Sequence, residues 1–192
     1  MRGHLPRWVL YHSYQHTVEV VRSATAIGKR SRLSDSDFEV LLLAAWFHDT
    51  GFIKSAAGHE RISATIASDF LRSHQYPEKR ITRVARCILA TKMPRNPRNL
   101  LERILCDADL VSLGKRSFFK QNEALRLETE SHKGRAIGQL AWLRRSLHFL
   151  EHTRYSSRSA RLLYESQRQA NLRRLRKELR KLELKGVRSE AS

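Results

Sequence analysis

The chain has 192 residues and a mass of 22.4 kDa, with 37 Lys and Arg against 19 Asp and Glu, a formal net charge of +18 and a pI near 10.9. Chains of about 100–200 residues form one domain, and a hydrophobic fraction of 41% supplies a core, which excludes wholesale disorder. The longest unbroken apolar run, Val40 to Phe47, is far short of the roughly 20 residues of a membrane span. The charge attracts polyanions or anionic substrates and says nothing about fold. Met1 to Arg7 is basic, but no extended apolar segment or small-residue cleavage site follows it, so it does not read as a secretory signal. Cys87 and Cys106 lie in apolar stretches without metal-site spacing and read as small buried hydrophobes in a reducing compartment. A cytoplasmic location is the expectation.

No segment alternates apolar and polar residues long enough to make a strand; the 3.6-residue period recurs instead. Val9, Val18, Val21 and Ile27 predict a first helix from about Pro6 to Lys29. Ser34 and Ser36 are candidate N-caps for a second helix through Phe47, with Gly51 as its natural stop. A third helix, about His59 to His74, places Ile62, Ile66, Phe70 and Leu71 on one face. Pro77 opens a fourth, through Ile81, Val84, Ile88 and Leu89, and Pro94 and Pro97 break the helical pattern after it. Further helices are predicted over about Leu100–Leu113, Phe118–Glu130, Arg135–Glu151 and Ser157–Lys185. The expected fold is all-α: a single compact helical bundle over residues 1–156, with a basic C-terminal helix over 157–192 packed on it and a disordered end.

Three groups stand out among the nine histidines and the acids. His12 and His16 are four apart and share a face of the first predicted helix. His48-Asp49 closes the apolar second helix. Asp107 and Asp109 interrupt the apolar stretch Ile104 to Val111. Carboxylates on a core-facing stretch are costly unless a charged partner or a metal compensates them. Imidazoles and carboxylates on separate helices suit an open divalent-metal site. Such an ion polarises a phosphoryl oxygen and lowers the pKa of water.

In this order the residues resemble the HD-domain metal-dependent phosphohydrolases, whose signature is a His, an adjacent His-Asp pair and a distant Asp. Tyr11-His12-Ser13-Tyr14-Gln15-His16 looks like the first motif, Ala44-Ala45-Trp46-Phe47-His48-Asp49-Thr50-Gly51 like the second, and Asp107-Ala108-Asp109-Leu110 like the last. Gly58-His59-Glu60, Ala90 to Pro94 and the stretch from Trp142 to Leu172 resemble a subgroup of small bacterial HD proteins, so the resemblance covers nearly the whole chain. It implies that His16, His48, Asp49 and Asp109 hold one or two divalent ions (Mn, Fe, Zn, Mg or Co), with Asp49 also bridging to a second ion or to the attacking water. Asp109 is preferred to Asp107 on the Ala-Asp-Leu context, which leaves Asp107 beside the site or as a cap. The first and last motifs are also similar to those of the cyclic-nucleotide phosphodiesterases, which makes His12 either the general acid or a hydrogen-bond partner of a ligand.

The chain departs from the phosphodiesterase pattern after His48-Asp49, where Thr50-Gly51-Phe52 carries no further Asp-His. His59 is then either a ligand to a second metal or a helix-start histidine, and Thr91 stands where two-metal relatives often place a histidine. Lys92 and Arg95, with Arg98, either neutralise a substrate phosphate or decorate a solvated loop. The expected function is metal-dependent hydrolysis of a phosphoester or phosphoanhydride of a nucleotide or small phosphometabolite. A basic nucleic-acid-binding or regulatory protein is the alternative. Leu172, Leu175, Leu179 and Leu182 fit either a short homodimer seam or packing on the domain's own core.

Overall fold

A computed structural model describes residues 5–190, with side chains through 184; the chain end expected to be disordered lies outside the described residues. The fold is all-α, and the described residues form a compact bundle of eight helices: α1 (Tyr14–Arg30), α2 (Asp35–Phe47), α3 (His59–Ser73), α4 (Glu78–Ala90), α5 (Leu100–Asp109), α6 (Phe118–Lys133), α7 (Gln139–His152) and α8 (Arg158–Glu190). Short 3-10 turns, Thr50–Ile53 and Val111–Gly114, follow α2 and α5. None of these helices is long and apolar enough to cross a membrane.

Side-chain caps set several starts. Ser13 and Ser34 accept the backbone N–H of His16 and Asp37. Asn99 accepts from Glu102 N–H while its own amide donates to the Glu102 carboxylate at 2.7 Å, a reciprocal pair that satisfies both ends. Helix α1 begins at Tyr14, eight residues later than the sequence pattern suggests. The reason is tertiary: Glu128 Oε2 on α6 accepts the backbone N–H of Leu10, Tyr11 and His12 at 2.7–3.0 Å. Those donors are drawn out of the helical pattern, so His12 precedes α1 rather than lying on it. Helix α7 likewise starts four residues late, because α6 runs on to Lys133 and Gly134 caps it in the left-handed region, φ 63°.

Two apolar clusters hold the bundle. The first joins α1 to α5 through residues such as Val20, Ile27, Leu41, Val84, Ile88 and Ile104. The second joins Leu113, Phe118, Leu143 and Leu150 to Leu172, Leu175 and Leu179 of α8. Leu110 packs against both. The α8 leucine stripe is therefore spent inside the chain. The buried side of α3 is Ser63, Ala64, Ala67 and Leu71, not the Ile62–Ile66–Phe70 line; Phe70 stays exposed because small residues let α3 pack closely on α4.

Helix α8 also fixes the chain that follows α5. Asn171 donates to the carbonyls of Leu113 and Lys115 at 2.8 Å. A Cβ on Gly114 would stand 2.5 Å from the Tyr155 hydroxyl, so only glycine fits there. Gly51 serves the same purpose after α2. A Cβ would meet the His59 carbonyl oxygen at 2.1 Å, so this glycine permits close approach of α3 rather than a left-handed helix stop.

Candidate metal centre

Three helix ends converge on one point. His16 comes from the first turn of α1, His48 and Asp49 from the end of α2, and Asp109 from the last position of α5. The C-terminal ends of α2 and α5 carry partial negative charge, which favours a cation. One ligand atom from each of the four residues lies within 4.8 Å of all the others. Nitrogen and oxygen alternate around a ring: His16 Nε2 is 3.2 Å from Asp109 Oδ1, which is 3.6 Å from His48 Nε2. His48 Nε2 is 3.1 Å from Asp49 Oδ2, which is 3.5 Å from His16 Nε2.

These separations fit a shared ion. Ligands about 2.1 Å from one metal stand about 3.0 Å apart at right angles and about 3.4 Å apart at tetrahedral angles. Among the described residues, His48 Nε2 and Asp49 Oδ2 are buried without any hydrogen-bond partner, despite their closeness. His48 Nδ1 lies 2.8 Å from the Ala45 carbonyl, to which it donates, and in the neutral ring that leaves a lone pair on Nε2. Burial opposes charge on both carboxylates. Even so, His48 foremost holds Asp49 far below the usual carboxylate range, and Arg95 foremost, with His16 and His48, does so for Asp109. Two ionised carboxylates and two imidazole Nε2 atoms turned on one point are a donor set for a divalent ion, which would displace the protons the imidazoles otherwise share with the carboxylates.

The other predicted site residues divide. His59 Nε2 stands 3.5 Å from the second oxygen of Asp49, and its Nδ1 is 3.0 Å from the Ala56 carbonyl. It borders the ring from outside, beside that second oxygen. Asp107 takes no part in the ring: its two oxygens accept the N–H of Ser156 and Ser157, both at 2.7 Å, and so cap the start of α8. Two residues along a helix separate side chains by about 200°, so Asp107 and Asp109 cannot share a face.

Lys92 and Arg95 do not form a free phosphate-binding pair. The Arg95 guanidinium is committed to Asp109 and to the carbonyls of Cys106 and Thr91, because a buried ionised carboxylate requires a countercharge. Lys92 is exposed and does not line the adjoining cavity. His12 is held at Nδ1 by Glu128 Oε1, and its ring stacks on Phe52 at 4.2 Å. Phe52 in turn lies 4.2 Å from the His59 ring, so one aromatic spaces both histidines. Burial is the largest single effect on His12 and opposes its charge, but the hydrogen bond to Glu128 together with the charges of Asp49, Glu128 and Asp109 outweighs it and raises the pKa.

Glu128 and Phe52 escaped the sequence reading. The only sign of Glu128 was an acid beside Leu127 in a weakly amphipathic helix. A cavity of about 420 Å³ opens beside the ring, bordered by His12 and Asp109 at one end and by α6 and α7 at the other. Cys87 and Cys106 are free and buried, and burial pushes both thiols up to about 12. The family model for the HD domain matches residues 13–114, more than half of the chain. No curated protein matches it.

Proposed function

Because the chain belongs to the HD domain family, we propose that it is a metal-dependent phosphohydrolase that cleaves a phosphoester or phosphoanhydride of a nucleotide or other small phosphorylated metabolite, phosphodiesters included. The observation that carries this reading is the alternating His16–Asp109–His48–Asp49 ring with its partnerless buried atoms, set at the end of an open cavity. These four residues would hold the ion, which is Mn, Fe, Zn, Mg or Co. A divalent ion there supplies positive charge that polarises a phosphoryl oxygen and acidifies water.

The chain's own groups do the rest. Arg95 keeps Asp109 ionised and oriented. Glu128 holds His12 by Nδ1, which leaves Nε2 to carry a proton. His12 is the general acid: as water oxygen bonds to phosphorus and the ester bond breaks, the Nε2 proton passes to the departing oxygen. His59 beside Asp49 is the candidate ligand for a second ion. The buried free thiols fit action in the reducing cytoplasm.

Metal analysis of the purified protein together with hydrolysis of a nucleotide and phosphoester panel, Mn²⁺ included, tests the reading. His48→Ala and Asp49→Ala are expected to lose both metal and activity. No stoichiometric ion and no hydrolysis would sink it. A second reading, nucleic-acid binding, is favoured by one observation: Arg173, Arg176, Lys177, Arg180 and Lys181 line a shallow exposed groove along α8. Binding titrations at two salt concentrations test it, since phosphate-backbone binding weakens steeply as salt rises.

A further inference from the structure

We infer that the substrate carries a single phosphoryl group on a flat heteroaromatic body, that this body occupies the cavity beside the metal ring, and that polyphosphates are excluded. The inference rests on the phosphohydrolase reading and narrows it. The cavity, about 420 Å³, is of the size that encloses a small organic ligand. Its reacting end is formed by Asp109 and other residues of the matched family segment together with Tyr11 and His12 just before it. Its far wall comes from α6 and α7, which lie beyond that segment. Helix α7 contributes Trp142, Arg145, Ser146 and Phe149, one face at spacings of three, four and seven. Helix α6 contributes Phe118, Asn122 and Leu125. What the site accepts is thus decided by a part of the chain outside the family's own motifs.

Three aromatic side chains, Phe118, Trp142 and Phe149, favour a flat π-system. Phe149 is 36% and Met93 56% exposed, so the rim is apolar as well. A pure hydrocarbon body fits less well, because the cavity wall carries donors. Trp142 lines the cavity, and its indole N–H, buried within the wall, has no partner among the described residues. The Asn122 oxygen accepts from the Ser146 hydroxyl at 3.0 Å, which leaves the carboxamide N–H₂ for a ligand acceptor. Ring nitrogens or carbonyls on the substrate supply the matching acceptors.

Charge sets the phosphate count. Of the two arginines that line the cavity, Arg95 is committed to Asp109. Arg145 is exposed, with its guanidinium 5.5 Å from the Trp142 ring centroid. Beyond the metal ring and His12 at the reacting end, Arg145 and the exposed His148 are the remaining basic groups of the lining, too few to compensate a di- or triphosphate chain along a wall of Leu, Phe and Trp side chains, where an unpaired anion is heavily penalised.

Adenosine 5′-monophosphate, adenosine 5′-triphosphate and ribose 5-phosphate serve as probes of the metal-loaded protein, and adenosine as a binding probe of the metal-free protein. The monophosphate is expected to exceed both others in kcat/KM by about 100-fold, ribose 5-phosphate because it lacks the flat base and its hydrogen bonds, the triphosphate because its added charges find no countercharge. Asn122→Asp keeps the Ser146 bond but turns the donor into an acceptor. It and Trp142→Phe are expected to raise KM for the monophosphate and Kd for adenosine by about 5–10-fold, the loss of one hydrogen bond, with ribose 5-phosphate unaffected. Equal or better rates on the triphosphate or on ribose 5-phosphate overturn the inference and leave the phosphohydrolase reading standing. So does adenosine affinity that neither variant changes. Adenosine binding with no hydrolysis of any probe and no bound metal overturns the phosphohydrolase reading instead.

Discussion

At the scale of single residues, His12 and Arg95 show how this site separates chemistry from support. Arg95 spends its guanidinium on Asp109 and two carbonyls, and so acts through another residue. His12 has one nitrogen bound to Glu128 and the other available. If it protonates the leaving oxygen, His12→Asn should depend on the leaving group. Alkyl phosphate esters, whose alkoxides need a proton, are expected to slow by about 10²–10⁴-fold. p-Nitrophenyl phosphate, whose leaving group is stable as an anion, should slow by less than tenfold. Paired kcat measurements on the two substrates check this, and an equal loss on both would assign His12 to positioning alone.

At the scale of elements, the Asp107–Ala108–Asp109 end of α5 serves two purposes at once. Asp109 faces the ring, while Asp107, 1% exposed, holds the start of α8 through two backbone N–H groups. Asp107→Ala should therefore lower the thermal midpoint, since each orphaned buried group costs about 1–3 kcal/mol, yet leave metal stoichiometry intact. Asp109→Ala should do the reverse, with loss of metal as its first effect. Calorimetric melting alongside metal analysis separates the two.

Within α8, Arg168 is wholly buried, donating to Glu165 and to the Leu150 carbonyl. The hydrogen bond from Arg168 holds the Glu165 carboxyl below its ordinary value of 4.5, with Gln169 and Arg154 acting in the same direction. A carboxylate with a lowered folded pKa contributes stability above the unfolded value and loses it as pH falls through the folded one. The Glu165 contribution is thus present at neutral pH and lost below about 4.5. Glu165→Gln should be less stable at pH 7, and its difference from wild type should shrink as pH falls through that window, which denaturant melts at several pH values measure.

At the scale of the whole molecule, the ring is assembled from α1, α2 and α5, so an ion bound there ties three helices together. A ligand at about 100 times its Kd stabilises the native state by about 2.7 kcal/mol, or roughly 5–10 °C for a chain of this size. Divalent ions should raise the thermal midpoint by that order, chelator should reverse it, and His48→Ala should abolish it. Thermal scans with and without metal test all three. The +18 charge plays little part in the ring, whose members are acids and histidines. It is spread along the chain and densest on α8, from Arg173 to Lys181.

What the amino-acid sequence determined by itself was local. The 3.6-residue period marked the helices, Ser34 marked the start of α2, and His12 and His16, His48-Asp49, and Asp107 and Asp109 stood out as metal-ligating types lodged in apolar stretches, the choice of four among them resting on the family resemblance. These features are legible because helix faces follow from spacing and ligand chemistry follows from residue type. What only the tertiary structure decided was which faces meet. A contact spanning 116 residues delays α1 and anchors His12 on Glu128. Arg95 turns inward because Asp109 is half-buried and charged, and the α8 leucines go to the chain's own core. Packing and desolvation act between residues far apart in the chain, and no local pattern carries their sum.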